Sequence, residues 1–234
     1  MTENRSILTI APLLADDFVD LDGPNFDSNK YSIFLDENAN RLGSFKKYLI
    51  CKLHDSAIID IRQEFDKLSI ILNDYSTCVF AKTLIERYNL PIGLNNISFP
   101  LKIEFEGNLN VEYNKVDDNG NLISISRTDL DEYLYEQVTQ IDKDKIEIVF
   151  HFWKTHVKAN KHGKRIIAIV SAKNLTLIEN QDKVWTEVFG HEYDELYMYF
   201  KEQFNSDRYV SDHAECEKLI DDFDQSKKPN KNTI

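Results

Sequence analysis

The sequence contains few cysteines, glycines and prolines, and each scarcity excludes a class of protein. Its 234 residues include three cysteines: Cys51, Cys78 and Cys216. An odd and sparse set of this kind does not indicate a disulfide framework. Seven glycines and five prolines exclude collagen-like and low-complexity chains. The apolar run from Ile7 to Leu14 is short and contains Pro12, so we predict no signal peptide and no membrane span. A cytoplasmic location is the resulting expectation.

The short motifs that usually carry catalysis or cofactor binding are absent too. The chain has no Walker loop, no Gly-x-Gly-x-x-Gly, no Gly-x-Ser-x-Gly and no Cys-x-x-Cys. Three histidines, His151, His156 and His162, lie close together, but five residues along a strand place the first two on opposite faces. We therefore expect no metal and no cofactor, and we assign no catalytic residue.

The composition indicates a globular and strongly acidic protein. Hydrophobic residues make up 42% of the chain and charged residues 29%. Forty acidic side chains against 28 basic ones give a formal net charge of −12. Nucleic acids and anionic membranes attract basic surfaces, so neither is an expected partner. An acidic surface is better suited to a basic protein, because opposite charges raise the rate of association.

An acidic stretch near the N-terminus is the first candidate binding surface. The spacing Asp20-Leu21-Asp22-Gly23 puts the glycine at the fourth position, whereas a calcium-binding EF-hand loop has it at the sixth. We therefore interpret the stretch as a solvated surface that steers a basic partner. The candidate partner-binding residues are Asp16, Asp17, Asp20, Asp22, His54 and Asp55.

Hydrophobic periodicity predicts an α+β protein. We expect a mainly antiparallel sheet of six or seven strands, with helices packed on one face and a helical C-terminal region. Residues 1–43 form an irregular N-terminal segment, in which residues 8–14 are an edge strand or a short helix. Residues 44–205 form a single domain, and residues 206–234 form a C-terminal helix with a frayed tail.

The element boundaries follow from capping residues and from changes of period. Helices are expected over residues 44–53, over residues 78–88 with Ser76 or Thr77 as N-cap, over residues 128–141, and through most of residues 185–224. Period-two alternation predicts a hairpin over residues 57–73 and strands over residues 97–105, 109–114, 122–126, 146–153 and 166–178. The helix over residues 128–141 has the clearest pattern, with its apolar positions three and four residues apart: Leu130, Tyr133, Leu134, Val138 and Ile141.

His54 and Asp55 lie where the first predicted helix passes into the first hairpin. A histidine at a helix C-terminus interacts well with the helix dipole, which favours a structural junction. Neighbours on an extended segment point to opposite faces, so adjacency alone does not pair the two side chains. A hydrolase-like enzyme with a site at this junction is the alternative.

A second alternative concerns the hairpin around residues 154–165, which is locally basic. Lys154, Lys158, Lys161, Lys164 and Arg165 cluster there beside Trp153. Such a cluster is able to contact phosphate, although a solvated hairpin tip is the commoner role.

Two short segments resemble uncharacterised bacterial domains, some of which serve as immunity proteins of polymorphic toxin systems. They are Leu53-His54-Asp55-Ser56 with the Ile-rich hairpin that follows, and Trp185-x-x-x-Phe189-Gly190-x-x-Tyr193. The resemblance covers residues 45–205. It implies an α+β fold, is compatible with an interaction role, and supplies no catalytic residues.

Overall fold

The chain forms two compact units. The computed structural model describes residues 5–15, 26–49, 52–93, 97–127, 130–154, 164–205 and 212–227. The first unit comprises Met1–Leu72 and Lys102–Ile178 and contains the sheet. The second unit comprises Asn73–Leu101 and Glu179–Ile234 and is mainly helical.

Eight α-helices and nine strands are formed within the described residues. The helices are α1 Ile7–Ile10, α2 Pro12–Ala15, α3 Ser28–Glu37, α4 Ala39–Leu42, α5 Tyr75–Tyr88, α6 Gln181–Phe189, α7 Asp194–Asn205 and α8 His213–Ser226. The strands are β1 Ser56–Glu64, β2 Lys67–Asn73, β3 Pro100–Glu106, β4 Asn110–Val116, β5 Leu122–Ile125, β6 Glu132–Ile141, β7 Ile146–Lys154, β8 Lys164–Ala172 and β9 Asn174–Glu179. Short 3₁₀ helices occupy Gly43–Tyr48 and His191–Tyr193.

The strands form one sheet in the order β5-β4-β8-β7-β6-β1-β2-β3-β9. The pairings of β4 with β5 and β8, of β7 with β6 and β8, and of β1 with β6 are all antiparallel. The predicted α+β class, with an antiparallel sheet and a helical C-terminal region, is therefore confirmed. The sheet has nine strands where six or seven were expected.

One face of the sheet carries an aromatic core. Phe150 and Phe152 on β7 lie beside Tyr133 on β6, with ring centroids 5.9 and 5.8 Å away. Phe105 on β3 meets Phe150 edge-on at 5.8 Å, although three strands separate β3 from β7 in the sheet. The sheet therefore curls, with this aromatic face inside.

The opposite face of β7 and β8 is covered by the N-terminal helices. Ile7, Ala11 and Leu14 pack against Val149 and Ile167, and all five are buried. These helices settle the alternative left open for residues 8–14 in favour of helix. Both faces of β7 are consequently buried, as its nearly continuous apolar sequence indicates.

The helix predicted over residues 128–141 is wrong, because Glu132–Ile141 forms strand β6. Two register shifts interrupt its pairing with β7, between Tyr133 and Tyr135 and between Val138 and Gln140. At each shift β6 has one residue more than the paired segment of β7, which is the arrangement of a β-bulge. The residues that share the inner face, Tyr133, Glu136, Val138 and Ile141, are consequently spaced by three, two and three, which resembles a helical period. Thr128, the expected start of the helix, lies outside the described residues.

Two further boundaries also differ from expectation. Residues 44–53 do not form a continuous helix, since the 3₁₀ helix ends at Tyr48 and Leu49 is extended. Helix α5 forms as predicted, but its N-cap is Asp74, which accepts from the backbone N–H of Thr77, rather than Ser76 or Thr77.

The helical unit has its own aromatic core. Trp185 on α6 is fully buried and stacks on Tyr197 of α7 at 4.2 Å. Phe80 of α5 lies between Trp185 and Phe200, at 5.7 and 4.2 Å. These contacts follow the apolar stripes that predicted the helices.

Candidate functional site

The predicted partner-binding residues fall into two groups in the structure. Asp16, Asp17, Asp20 and Asp22 lie outside the described residues, so their role stays a prediction. His54 and Asp55 lie in a turn that leads into β1, which starts at Ser56. This turn and its neighbours form the candidate site.

The turn brings the side chains of His54 and Asp55 together, whereas on an extended segment they would point to opposite faces. Asp55 has a φ of 63°, a left-handed conformation that Asp tolerates better than most residues. The backbone N–H of Ser56 donates to the carbonyl of Leu53 at 3.1 Å and closes the turn. His54 Nδ1 then lies 2.9 Å from Asp55 Oδ1. The segment is not extended here, and no helix ends at His54, so both premises of the junction hypothesis fail.

A second carboxyl group, that of Glu132, lies beside the His54–Asp55 pair. Glu132 is opposite Ala57 where β6 pairs with β1, which places it beside the turn. Burial raises the pKa of Glu132, and the hydrogen-bonded carboxylate of Asp55 raises it further, whereas His54 lowers it. The carboxyl group of Glu132 therefore favours its protonated form, in which it donates a hydrogen bond to Asp55.

The bulge in β6 sets the wall of the site. It puts Tyr133 opposite Phe152 but Tyr135 opposite His151, so the two tyrosines point to different faces of the sheet. Tyr135 thereby lies between the two histidine rings, with its centroid 4.6 Å from that of His54 and 6.0 Å from that of His151. His151 is buried and His54 retains 23% exposure of its side chain.

This arrangement is chemically able to transfer a proton. A histidine hydrogen-bonded to a carboxylate is a common general base, and a carboxyl group with a raised pKa is a common general acid. The local sequence pattern places Glu132 on a helix and contains no signal for its strand register, so it does not reveal Glu132 as part of this site.

The helical unit presents a second candidate, a surface rich in carboxylates. The unit includes sixteen of the 40 acidic side chains and nine of the 28 basic ones, a formal net charge of −7. Helix α8 alone has five acidic residues and one lysine between Glu215 and Asp224. Its buried side consists of Cys216, Leu219 and Ile220, so the carboxylates lie on its remaining sides. We call the carboxylates of α6, α7, α8 and the turn between α6 and α7 the acidic helical surface.

Several basic side chains of this unit are already engaged in ion pairs. Arg87 bridges Glu217, at 2.7 Å, and Asp221. Lys201 lies 2.6 Å from Asp182. Lys227 pairs with Glu195, and Lys183 pairs weakly with Glu187 at 3.8 Å. The lysine and arginine side chains in these ion pairs are each neutralised by a carboxylate of the same unit. The remaining carboxylates give the unit its net negative charge.

The remaining sequence hypotheses find less support. Of the basic hairpin, residues 155–163 lie outside the described residues, and so do His156, His162 and Cys51. Cys78 and Cys216 are buried, and burial raises the pKa of their thiols to about 11 and about 12, so both are protonated at neutral pH. Among the described residues, no three His, Cys, Asp or Glu side chains are arranged to bind a metal ion. No helix in the described part of the chain is long and apolar enough to span a membrane.

Comparison of the chain with protein family models, with curated proteins and with solved structures yields no match in any of the three.

Proposed function

We propose that this chain is a non-enzymatic protein-binding module that recognises a basic protein through its acidic helical surface. The supporting observation is the concentration of negative charge on α6, α7 and α8 after internal ion pairing. Such a role is compatible with the resemblance to uncharacterised bacterial domains, some of which serve as immunity proteins. A cytoplasmic location belongs to the same proposal.

The physical basis is electrostatic steering. A surface with a net excess of carboxylates attracts a positively charged partner over about one Debye length, ~8–10 Å at physiological salt. Exposed charges of this kind act mainly on the association rate and less on the lifetime of the complex. Affinity should therefore fall steeply as salt is added.

The test uses a neutralised variant and a control with the same change of charge. Glu187→Gln, Glu192→Gln and Glu202→Gln remove three exposed carboxylates from the helical unit. The control, Glu37→Gln with Asp118→Asn and Asp144→Asn, removes three exposed carboxylates from the sheet unit. Each protein is used to co-purify partners at low salt from the cells that encode it.

We expect the wild type and the control to retain the same basic protein, and the neutralised variant to retain much less. With that protein purified, the neutralised variant should associate roughly tenfold more slowly at low salt, with the difference lost near 1 M salt. Equal retention by both variants, or a partner without basic character, contradicts the proposal.

A second candidate function, acid–base catalysis, is supported by the pairing of His54, Asp55 and Glu132. His54 would act as the base oriented by Asp55, and Glu132 as the acid. This function predicts turnover of an activated ester or phosphodiester, such as p-nitrophenyl acetate or bis-p-nitrophenyl phosphate. His54→Gln should abolish the turnover while leaving the thermal unfolding midpoint nearly unchanged. Equal rates for wild type and His54→Gln would exclude catalysis of these two reactions by the site.

A further inference from the structure

We infer that Phe65, at the tip of the β1–β2 hairpin, is an anchor that inserts into an apolar pocket of a basic partner protein. Its side chain has 108% of the reference exposure, the highest value among the exposed large hydrophobic residues of the described chain. The residues around it, from Arg62 to Asp66, are exposed as well. Within the part of the chain that the structure describes, the ring is not buried, and burial supplies the stabilisation that aromatic rings provide.

The backbone at Phe65 also favours a different residue. Strand β1 ends at Glu64 and β2 begins at Lys67, so Phe65 and Asp66 form a two-residue turn. Phe65 has a φ of 45°, as the first central residue of a type II′ turn does, and glycine is the usual residue there. A bulky side chain at positive φ is a conformational outlier of the kind that concentrates at ligand-binding positions.

Contacts with the neighbouring β3–β4 turn fix the tip in place. The carbonyl of Asp66 accepts from the backbone N–H of Gly107 at 3.1 Å, and its Oδ1 accepts from that of Leu109 at 2.8 Å. Lys67 Nζ lies 2.9 Å from Glu104 Oε1. A rigid aromatic side chain loses little conformational freedom on binding, which is the property of a binding hot spot.

The charges around the hairpin tip indicate which kind of partner Phe65 binds. Glu64 and Asp66 flank Phe65, and Glu64, Glu104 and Glu106 all act electrostatically on Lys67. These carboxylates repel an anionic membrane and favour a pocket with basic side chains at its rim. The inference rests on the proposed function, because it takes the partner to be a basic protein. The anchor itself lies in the sheet unit.

Photo-crosslinking in the cell identifies the protein that Phe65 contacts. The probe is p-benzoylphenylalanine in place of Phe65, and the control probe is the same residue in place of Ile123, which is 52% exposed on β5. We expect position 65, and not position 123, to cross-link one basic protein through a peptide near lysine or arginine. Cross-links to lipid, to a second copy of this chain, or to the same proteins from both positions overturn the inference.

The cross-linked protein is then purified, and its affinity is measured for wild type, Phe65→Tyr and Phe65→Gly. Phe65→Gly should weaken binding roughly tenfold or more, whereas Phe65→Tyr should change it only about twofold. Phe65→Gly should also melt at or above the wild-type temperature, because glycine suits the turn. Unchanged affinity for Phe65→Gly refutes the anchor.

The same measurement separates the two proposals. Weaker binding by the neutralised variant alone supports the acidic helical surface and rejects the anchor. Weaker binding by Phe65→Gly alone supports the anchor and rejects the acidic helical surface.

Discussion

Replacing Glu132 by glutamine should stabilise the protein at neutral pH. The substitution keeps the shape of the side chain and a hydrogen bond to Asp55, but it removes one of two carboxylates that lie within hydrogen-bonding reach. Two like charges 4 Å apart repel by about 1 kcal/mol in water-like surroundings. Salt screening and the half-exposed position of Asp55 reduce this value. We therefore expect a gain of ~0.5–1 kcal/mol in the free energy of unfolding.

The pH dependence gives the sign of the effect. The folded-state pKa of Glu132 is raised, so its protonated form favours folding at low pH, and this contribution is lost as the pH rises through the folded-state pKa. The advantage of glutamine should accordingly be present at about pH 7.5 and vanish near about pH 4. At low pH the protonated glutamate already donates the same hydrogen bond.

Urea denaturation at both pH values measures the effect, with Glu202→Gln, an exposed site on α7, as the matched control. The control should change stability little at either pH. If Glu132→Gln instead destabilises the protein at neutral pH, ionised Glu132 has a favourable partner. The interpretation of Glu132 as a carboxyl group that favours its protonated form beside Asp55 would then be wrong.

Three further predictions concern stability and are tested by the same denaturation assay. Asp74→Ala removes a buried cap and the hydrogen bond that Gln181 Nε2 donates to it at 3.3 Å, so we expect a loss of about 2–4 kcal/mol. Asp74→Asn should lose under ~1 kcal/mol, and equal losses would refute the capping role. Trp185→Phe should cost about 1 kcal/mol, because the buried indole N–H has no hydrogen-bond partner among the described residues, whereas Trp185→Ala should cost ~3–5 kcal/mol; similar values for both would contradict this. His54→Ala should cost about 1 kcal/mol through lost contact with Tyr135, and an unchanged midpoint would show that the ring adds no stability.

Local signals predicted those elements that local interactions determine. The Asn119-Gly120 turn forms as expected, with Gly120 at a φ of 79° and Asp117 accepting from the backbone of Asn119 and Asn121. The β1–β2 hairpin and the C-terminal helices also form where their periods predict them, although Ala57 and Ile59 on β1 are exposed. In these segments the hydrophobic pattern and the chain geometry indicate the same structure.

The two failures at β6 share a physical cause, which is that tertiary pairing overrides the local pattern. Strand β6 was predicted as a helix because two bulges space its inner residues like a helical stripe, and bulges depend on the partner strand. The carboxyl pair at Glu132 was invisible for the same reason. The His54–Asp55 contact depends on the left-handed conformation of Asp55, which residue type permits but does not dictate. The N-cap role of Asp74 was missed because Ser76 and Thr77 are equally good capping residues.

Recognition through the acidic helical surface is tested most directly by the salt dependence of the association rate with the basic protein recovered at low salt. The association rate of the wild type should fall steeply between about 50 mM and 500 mM salt, and the neutralised variant should show a shallower slope. The control variant, with three carboxylates removed from the sheet unit, should follow the wild type. Identical slopes for the wild type and the neutralised variant would contradict recognition through the acidic helical surface.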